Sequence, residues 1–326
     1  MTLQDKLGRR IDYLRVSVTD RCNLRCFYCM PEDGVPLVDR GRILTLEEFA
    51  RLIEAATTAG VRRVRFTGGE PLLRKGLPGL IRTVAGLRAD LDIALTTNGV
   101  LLAGMAGELK AAGLARVNIS LDTLRPERYA AITRGGDLDR VWRGIEAALA
   151  EGLAPVKINT VLVRGVNDDE VEDLARLTLD RALHVRFIEL MPIRFAAGWA
   201  PDRLVTAAVI REKLAGWGDW EPAHPPAGGG PARYFRLPGA QGTVGFIPAL
   251  SDHFCGSCNR LRLTATGALR PCLYHAAETD VRELVRGGAS IAELADVIRI
   301  AAAGKPSGHR LDGGWRDQRS MSQLGG

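Results

Sequence analysis

Short apolar runs recur along the first two-thirds of the chain and alternate with amphipathic stretches. The runs predict six β-strands, at 14–18, 61–66, 91–95, 116–121, 156–163 and 184–190. Helical periodicity between them predicts helices at 45–59, 77–87, 105–112, 138–150 and 171–180. Because repeated strand–helix units build a parallel sheet with right-handed crossovers, the pattern favours an α/β fold, an open and incomplete (β/α)6 barrel, over a doubly wound sheet.

The predicted strands carry polar residues where a fully buried parallel strand would be apolar. The polar residues recur at alternate positions: Arg15, Ser17 and Thr19; Arg65 and Thr67; Asn118, Ser120 and Asp122; Lys157 and Asn159. A period of two places each set on one face of its strand. Several such strands together indicate a polar-lined interior that holds a ligand.

The alternation stops at about residue 200. A Pro/Gly-rich stretch at 221–231 is expected to be a surface loop that touches no site residue. Short strands are predicted at 233–237 and 243–247, and helices at 280–286 and 290–302. The chain is therefore divided into a barrel (1–200) and a smaller C-terminal α+β region (201–326).

Composition narrows the class of protein without identifying it. Hydrophobic residues make up 46% of the 326 residues, and no segment resembles a membrane span or signal peptide, so a cytoplasmic protein without a membrane partner is expected. The formal net charge is +6, and only six of the 44 basic residues are lysines. An arginine-favouring genome explains this bias as well as an anionic ligand does.

The six cysteines form two triplets. Cys22, Cys26 and Cys29 directly follow the first predicted strand, and Cys255, Cys258 and Cys272 lie near the C-terminus. Soft thiolates select iron–sulfur clusters, zinc or copper(I). The second triplet, considered alone, is equally typical of a zinc site completed by His253 or His275.

The first triplet has a Cys-x3-Cys-x2-Cys spacing with an aromatic residue before its last cysteine, and Thr67-Gly-Gly-Glu-Pro71 ends the second strand. Together these motifs resemble the radical S-adenosylmethionine (SAM) superfamily. The resemblance implies a 4Fe–4S cluster on three cysteines, whose open iron binds SAM and whose electron generates a 5′-deoxyadenosyl radical. It implies SAM contacts at Tyr28, Gly68, Gly69, Glu70, Ser120 and Met191.

The second triplet indicates which family within this superfamily the chain resembles. Phe254-Cys-Gly-Ser-Cys-Asn-Arg-Leu-Arg-Leu-Thr264 and Arg270-Pro-Cys272 resemble the GTP 3′,8-cyclases of molybdenum cofactor biosynthesis (the MoaA family), along essentially the whole chain. The resemblance implies a second 4Fe–4S cluster, whose open iron faces the guanine of GTP. The radical then takes the ribose 3′ hydrogen, and carbon 3′ attacks carbon 8 to give 3′,8-cyclo-7,8-dihydro-GTP.

The same resemblance implies further residues and partners. GTP contacts are expected at Arg15, Arg65, Thr96, Lys157, Arg260, Leu261 and Arg262, and the terminal Gly325 and Gly326 are expected to reach the active site. An external one-electron donor and a downstream cyclic pyranopterin monophosphate synthase are implied. No nucleic acid is expected, and a homodimer is one option for the oligomeric state.

Two alternatives remain open at this point. One is a radical SAM enzyme that modifies peptides and carries an auxiliary cluster, although such enzymes usually have more C-terminal cysteines. The other belongs to a different class, a zinc-ribbon protein that binds nucleic acid, suggested by Cys255-x2-Cys258 and the net charge. This second alternative leaves the Gly-Gly-Glu-Pro motif unexplained.

Overall fold

The six predicted strands form the centre of one twelve-stranded sheet in the computed structural model, which describes residues 2–193, 196, 201–309, 317 and 319–325. They are β1 (Tyr13–Ser17), β2 (Arg63–Thr67), β3 (Asp92–Thr97), β4 (Arg116–Ser120), β5 (Val156–Leu162) and β6 (Leu183–Glu189). These strands pair in chain order, and each pairing is parallel. The predicted open (β/α)6 architecture is confirmed.

The C-terminal region extends this sheet at both edges. Its strands are β7 (Glu221–Ala223), β8 (Arg233–Arg236), β9 (Thr243–Ile247), β10 (Arg260–Leu263), β11 (Ala268–Arg270) and β12 (Thr279–Asp280). Strand β9 pairs in parallel with β6, and β10 pairs in parallel with β1. The antiparallel strands β8 and β7 continue beyond β9, and β11 and β12 continue beyond β10. Both edges of the central six strands are thereby covered.

The described helices are α1 (Leu46–Ala59), α2 (Leu77–Ala85), α3 (Ala106–Ala111), α4 (Pro126–Thr133), α5 (Leu138–Ala150), α6 (Val171–Asp180), α7 (Ala207–Lys213), α8 (Arg282–Arg286), α9 (Ile291–Ala303) and α10 (Met321–Leu324). The predicted capping box of α1 is present, because Thr45 Oγ1 accepts from the Glu48 amide and Glu48 accepts from the Thr45 amide. The helices α4, α7 and α10 are additional to those predicted.

The apolar core lies between the strands and these helices. Alternate residues of the central strands are mostly apolar and fully buried there, as with Val16, Val64, Phe66, Leu95 and Ile119. Helix α9 packs on α1, so a helix from the C-terminal region covers the same sheet as the N-terminal helices. The remaining residues of each strand point to the opposite face, where the site lies.

Candidate functional site

A cavity of about 310 Å³ is lined by the polar face of the sheet. Its lining includes residues that alternate along the six central strands: Arg15, Arg65, Thr67, Thr96, Ser120, Asp122, Asn159 and Arg186. The polar interior predicted from the period of two is therefore a single cavity. The cavity also borders the three cysteines of the first triplet, and near the second triplet it borders Phe254, Arg260 and Leu273.

The segment that carries the first triplet leaves the carboxyl end of β1. A tight turn brings Cys26 and Cys29 together, since the Cys29 amide donates to the Cys26 carbonyl over 2.9 Å. The Leu24 amide donates to Cys22 Sγ over 3.5 Å. All three thiols line the cavity. The local backbone therefore directs three sulfurs into one space, as a cluster-binding segment requires.

The three thiols strongly influence one another's ionisation. Burial, and then the charge of Cys22, raises the pKa of Cys29 to about 12. Burial, followed by the charges of Cys29, Asp122 and Cys22, raises the pKa of Cys26 well above its ordinary value. A thiolate becomes stable in such surroundings only when a cation binds it, because coordination to a metal removes the proton. The donor set thus fits an iron–sulfur centre.

The glycine motif packs directly against the cysteine segment. A Cβ added to Gly68 would lie 2.5 Å from the Thr19 carbonyl oxygen, and one added to Gly69 would collide with the Arg21 carbonyl. The amides of Gly69 and Glu70 donate to these same two carbonyls. Glycine is therefore required for this close approach.

Glu70 is buried and its carboxylate links the glycine motif to the end of β3. The carboxylate accepts from the Leu72 amide at 3.0 Å, from Thr97 Oγ1 at 2.8 Å and from the Asn98 amide at 2.8 Å. Burial raises its pKa to about 7, against the effect of these hydrogen bonds. The structure places Glu70 beside the cysteine segment but not among the residues that line the cavity.

The other residues expected to bind SAM line the cavity near the first triplet. The Tyr28 hydroxyl donates to Asp122 Oδ2 over 2.6 Å, while Asp122 Oδ1 accepts from the Val161 amide. Burial raises the pKa of Asp122 to about 6. Ser120 ends β4, and Met191 follows β6 and packs with an apolar cluster of Ile193, Leu273 and Leu324.

The second triplet is held by two buried cations from distant parts of the chain. Arg9 donates to the Cys255 carbonyl over 2.7 Å and forms an ion pair with Asp5 at 2.5 Å. Lys305 Nζ donates to the Arg260 carbonyl at 2.8 Å and to the Pro271 carbonyl at 2.5 Å. Lys305 thus joins the residues next to Cys258 and Cys272, which fixes the two chain segments together.

Cationic surroundings also change the acidity of this triplet. Burial opposes ionisation of Cys258, but the charges of Arg260 and Lys305 lower its pKa to about 6. A thiol of this acidity is a thiolate at neutral pH, which is the form that binds metal. Burial, by contrast, raises the pKa of Cys255. The second triplet fits a metal centre because coordination would remove the proton from such a buried thiol, as in the first triplet.

The histidines considered for a zinc site take other positions. The ring of His253 packs against the ring of His309, with centroids 4.9 Å apart. Across the described ranges, no three His, Cys, Asp or Glu side chains are grouped closely enough to hold one metal ion. A 4Fe–4S cluster places its cysteines on different irons, so the three sulfurs need not share an ion.

Arginines from adjacent strands gather beside the second triplet. Arg15 of β1 is in register with Arg65 on one side and with Arg262 of β10 on the other. The predicted extended segment containing Arg260 and Arg262 is thus strand β10, and both arginines line the cavity. Leu261, between them, is fully buried and is not among the residues that line the cavity.

Further cations line the far part of the cavity. Arg186 of β6 lies near Arg65, and the Asn118 side-chain oxygen, with its amide in the swapped orientation, accepts from both guanidinium groups. Within the described part of the chain, Nε of Arg65 and Nε of Arg186 have no hydrogen-bond partner. Buried donors without partners are rare in folded proteins, and together with the positive charge they indicate an anion-binding site.

Lys157 is fully buried on β5, next to this group. Its ammonium donates to the carbonyls of Pro226 and Ala227, at 3.2 Å and 2.7 Å. Burial, and then the charges of Arg186 and Arg65, lower its pKa to about 6. The expectation that the stretch 221–231 touches no site residue was therefore wrong. Its first residues form β7, and the residues that follow are an exposed or half-buried loop that contacts Arg116 and Lys157.

The C-terminal tail approaches the same face of the sheet. Arg262 Nη1 donates to the Gly325 carbonyl over 2.5 Å, and a Cβ on Gly325 would lie 2.9 Å from Cβ of Ser17. Gly325 has a positive φ of 77°. Both facts favour glycine at this position. The expected role of Gly326 falls outside the described residues.

Sequence reasoning missed several residues of this site. Arg186 continues the period of two along β6, so its position on the polar face was available from the sequence. Arg9, Lys305 and the carbonyls of the Pro/Gly-rich stretch were not, because these partners lie 34 to 297 positions apart. No sequence signal links such pairs.

Comparison with known proteins shows similarity along the whole chain. Residues 16–178 match the radical SAM superfamily, and residues 183–311 match the family Molybdenum Cofactor Synthesis C. The curated GTP 3′,8-cyclase of Pelotomaculum thermopropionicum is 57% identical, over 99% of this chain and 100% of the relative. The curated GTP 3′,8-cyclase of Heliobacterium modesticaldum is 58% identical, over 99% of each chain.

Among solved structures, the fold is similar to that of Streptococcus suis SuiB bound to S-adenosylmethionine. The TM-score is 0.60 at 15% sequence identity, covering 90% of this chain and 69% of that protein. At this identity the similarity concerns the fold alone. A search of the described helices found none with the length and apolar character of a membrane span.

Proposed function

Since the chain belongs to the radical SAM superfamily and, within it, to the family of the GTP 3′,8-cyclases, we propose that it cyclises GTP to 3′,8-cyclo-7,8-dihydro-GTP, the first step of molybdenum cofactor biosynthesis. One structural observation supports this function above the others. A single cavity joins the first cysteine triplet to a group of buried arginines beside the second triplet. A radical generator and an anionic substrate can therefore meet in it.

The first triplet, with Cys22, Cys26 and Cys29, would hold the 4Fe–4S cluster that membership of the superfamily implies. When bound, this cluster and SAM supply the one-electron chemistry that generates the 5′-deoxyadenosyl radical. Gly68 and Gly69 bring the backbone close to the SAM site, with Glu70 and Ser120 as polar contacts. Tyr28 and Met191 enclose the site, which limits access of water to the radical.

Cys255, Cys258 and Cys272 would hold a second 4Fe–4S cluster next to the guanine of GTP. The orientation of this triplet is fixed by Arg9 and Lys305. Arg260 and Arg262 extend from the same segment into the cavity, so the residues that place the cluster also place the nucleotide.

The phosphates of GTP are anionic and require several donors. The cations that would supply them are Arg15, Arg65, Arg186, Arg260 and Arg262, which line the cavity together with Thr96. Lys157 does not line the cavity, but it is buried next to Arg65 and Arg186 and would add its charge to theirs. Gly325 lies against β1 and would place the terminal Gly325-Gly326 segment beside the ribose. These residues bind and orient GTP so that carbon 3′ faces the SAM site.

The proposal extends to the surroundings of the enzyme. An external one-electron donor reduces the first cluster, and a cyclic pyranopterin monophosphate synthase consumes the product. We place the enzyme in the cytoplasm, with a barrel region to residue 200 and a C-terminal region after it. A homodimer is one option for the oligomeric state of the enzyme.

The experiment that tests the function is anaerobic incubation with SAM, a reductant and GTP. The proposal expects 5′-deoxyadenosine and a cyclised dihydro-GTP to form in proportional amounts, as measured by mass spectrometry. Formation of 5′-deoxyadenosine that does not depend on GTP, without a new nucleotide, contradicts the proposal. ATP in place of GTP serves as the matched substrate control.

A further inference from the structure

The connection between β7 and β8, residues 224–232, passes across the amino-terminal ends of the central strands. Strands β7 and β8 lie at one edge of the sheet, beyond β9 and β6. The connection nevertheless contacts Lys157 of β5, Arg116 of β4 and Arg63 of β2. All three are at or next to the first residue of their strand, so the connection spans the end of the cavity opposite to the first cysteine triplet.

Three contacts fix the connection in place. The carbonyls of Pro226 and Ala227 accept from Lys157 Nζ. Gly228, with a φ of 99°, lies so close to the guanidinium of Arg116 that a Cβ would collide with it, and Arg116 is itself ion-paired with Asp92. Three prolines, Pro225, Pro226 and Pro231, restrict the backbone further. These contacts are typical of a rigid wall rather than a mobile flap.

The surface that this connection presents to the cavity has no side chain longer than a proline ring. Gly229, Gly230 and Pro231 line the cavity there. Arg65 and Arg186, whose Nε atoms have no partner among the described residues, also line the cavity, and both lie near Lys157, which the connection contacts. An anion held by these two arginines would therefore lie against the backbone of the connection. A substituent on that anion would clash with this backbone.

We propose that residues 224–232 form the end wall of the nucleotide site, and that this wall sets the maximum length of the phosphate chain. The inference rests on the proposed function, in which the phosphates of GTP lie among these cations. The terminal phosphate fits between the arginines and the wall, while a nucleotide extended beyond its γ-phosphate is excluded. Lys157 donates to two carbonyls of the wall and so holds the wall next to the arginines.

The test measures binding, by equilibrium dialysis with the anaerobically purified, cluster-loaded protein. The ligands are GTP and γ-(6-aminohexyl)-GTP, which extends the γ-phosphate by a flexible chain. The wild-type protein is expected to bind GTP at least about tenfold more tightly than the extended analogue. In a variant with residues 225–232 replaced by Asn-Gly, a two-residue hairpin turn closes β7 onto β8 and removes the wall. This variant is expected to bind both ligands within about threefold of each other.

A point variant covers the case in which the shortened hairpin fails to fold. Gly228→Ala collides with Arg116 and displaces the wall, so the ratio between the two ligands should change. Gly239→Ala is the matched control, because Gly239 also has a positive φ (74°) but open space around it. Its ligand ratio should equal that of the wild type.

The outcomes separate this inference from the proposed function. The proposed end wall is contradicted if the wild-type protein binds GTP and the extended analogue equally. It is also contradicted if the shortened variant keeps the wild-type ratio of the two affinities. A wild-type protein that binds neither ligand overturns the proposed function and the wall with it.

Discussion

The two halves of the cavity differ in charge although they belong to one face of one sheet. The half at the carboxyl ends of the strands holds the first cysteine triplet and the buried carboxylate of Asp122, with the buried Glu70 beside the cysteine segment. The other half holds Arg15, Arg65 and Arg186, with Lys157 next to them, and it adjoins the second triplet. Burial, and then the charge of Cys22, raises the pKa of Cys29 to about 12, whereas the charges of Arg260 and Lys305 overcome burial and lower the pKa of Cys258 to about 6.

This difference in charge indicates which half of the cavity binds SAM and which half binds GTP in the proposed reaction. SAM carries a sulfonium cation, which is stabilised in the acidic half, while GTP carries a polyphosphate, which is stabilised in the cationic half. Each triplet would hold a similar cluster, but the surroundings decide which small molecule approaches it. Charge thus separates two sites that no barrier of the fold separates.

The largest expected effect comes from removing one triplet at a time. Cys26→Ser should abolish cleavage of SAM, because the first cluster is lost. Cys258→Ser should still cleave SAM but should form no cyclised nucleotide. In both variants the bound iron should fall to roughly half of the wild-type content. Iron analysis, 5′-deoxyadenosine and the nucleotide product are measured together; cyclisation by the Cys258→Ser protein contradicts the division of roles.

Lys157→Ala tests the cationic half without touching either triplet. Loss of one charge-assisted donor should weaken GTP binding by about ten- to a hundredfold, while the iron content stays unchanged. Lys110→Ala is the matched control, because Lys110 also donates to a carbonyl, that of Gly152, but on the exposed surface. If the two variants bind GTP with equal affinity in equilibrium dialysis, Lys157 takes no part in GTP binding.

The acidity of Lys157 gives a pH dependence of known sign. Its pKa of about 6 makes the amine neutral above that pH in the free protein. Binding of an anion favours the ammonium, so GTP binding takes up a proton and weakens as the pH rises. Between pH 7 and 9 the affinity should fall by up to about tenfold per unit.

Lys157→Arg is the control for this profile. A guanidinium stays charged throughout the range, so the variant should lose the part of the pH dependence that Lys157 causes. Calorimetry in two buffers with different ionisation enthalpies measures the proton uptake directly. Identical profiles for the wild type and the Arg variant contradict the assignment.

The smallest effect is expected in the acidic half. Asp122→Asn has the same shape and keeps one acceptor oxygen for either the Tyr28 hydroxyl or the Val161 amide, but it loses the second acceptor and removes a buried negative charge. SAM affinity should fall by about three- to tenfold, with GTP affinity unchanged. Asp168→Asn, in a turn where Asp168 accepts from the Gly165 amide, is the control. A larger loss for GTP than for SAM would reverse the proposed division of charge.

The sequence predicted the central sheet and its polar face because both depend on local patterns. Strand periodicity placed Arg15, Arg65 and Asn159 on one face, and the structure shows them lining one cavity. The capping residues of α1 were equally visible. Such features follow from neighbouring residues and need no knowledge of distant contacts.

The parts that the sequence did not predict depend on pairings between distant segments. Strand β7 has only three residues and contains Pro222, so no periodicity marks it. The carbonyls that contact Lys157 belong to a stretch whose composition is typical of an exposed loop. The joining of β9 and β10 to opposite edges of the sheet was likewise invisible, because register between distant strands is set by tertiary packing.

The pairing of β1 with β10 also affects how the chain is made. These strands lie about 250 residues apart, as the register of Tyr13 with Arg260 shows. Proteins are synthesised at roughly 5–20 residues per second, so β10 is made roughly ten to fifty seconds after β1. During that time the outer edge of β1 has no partner strand. An unpaired edge strand is a template for aggregation. The nascent protein therefore passes through a period in which its first strand needs protection, and the two halves of the gene product cannot be produced separately without leaving that edge bare.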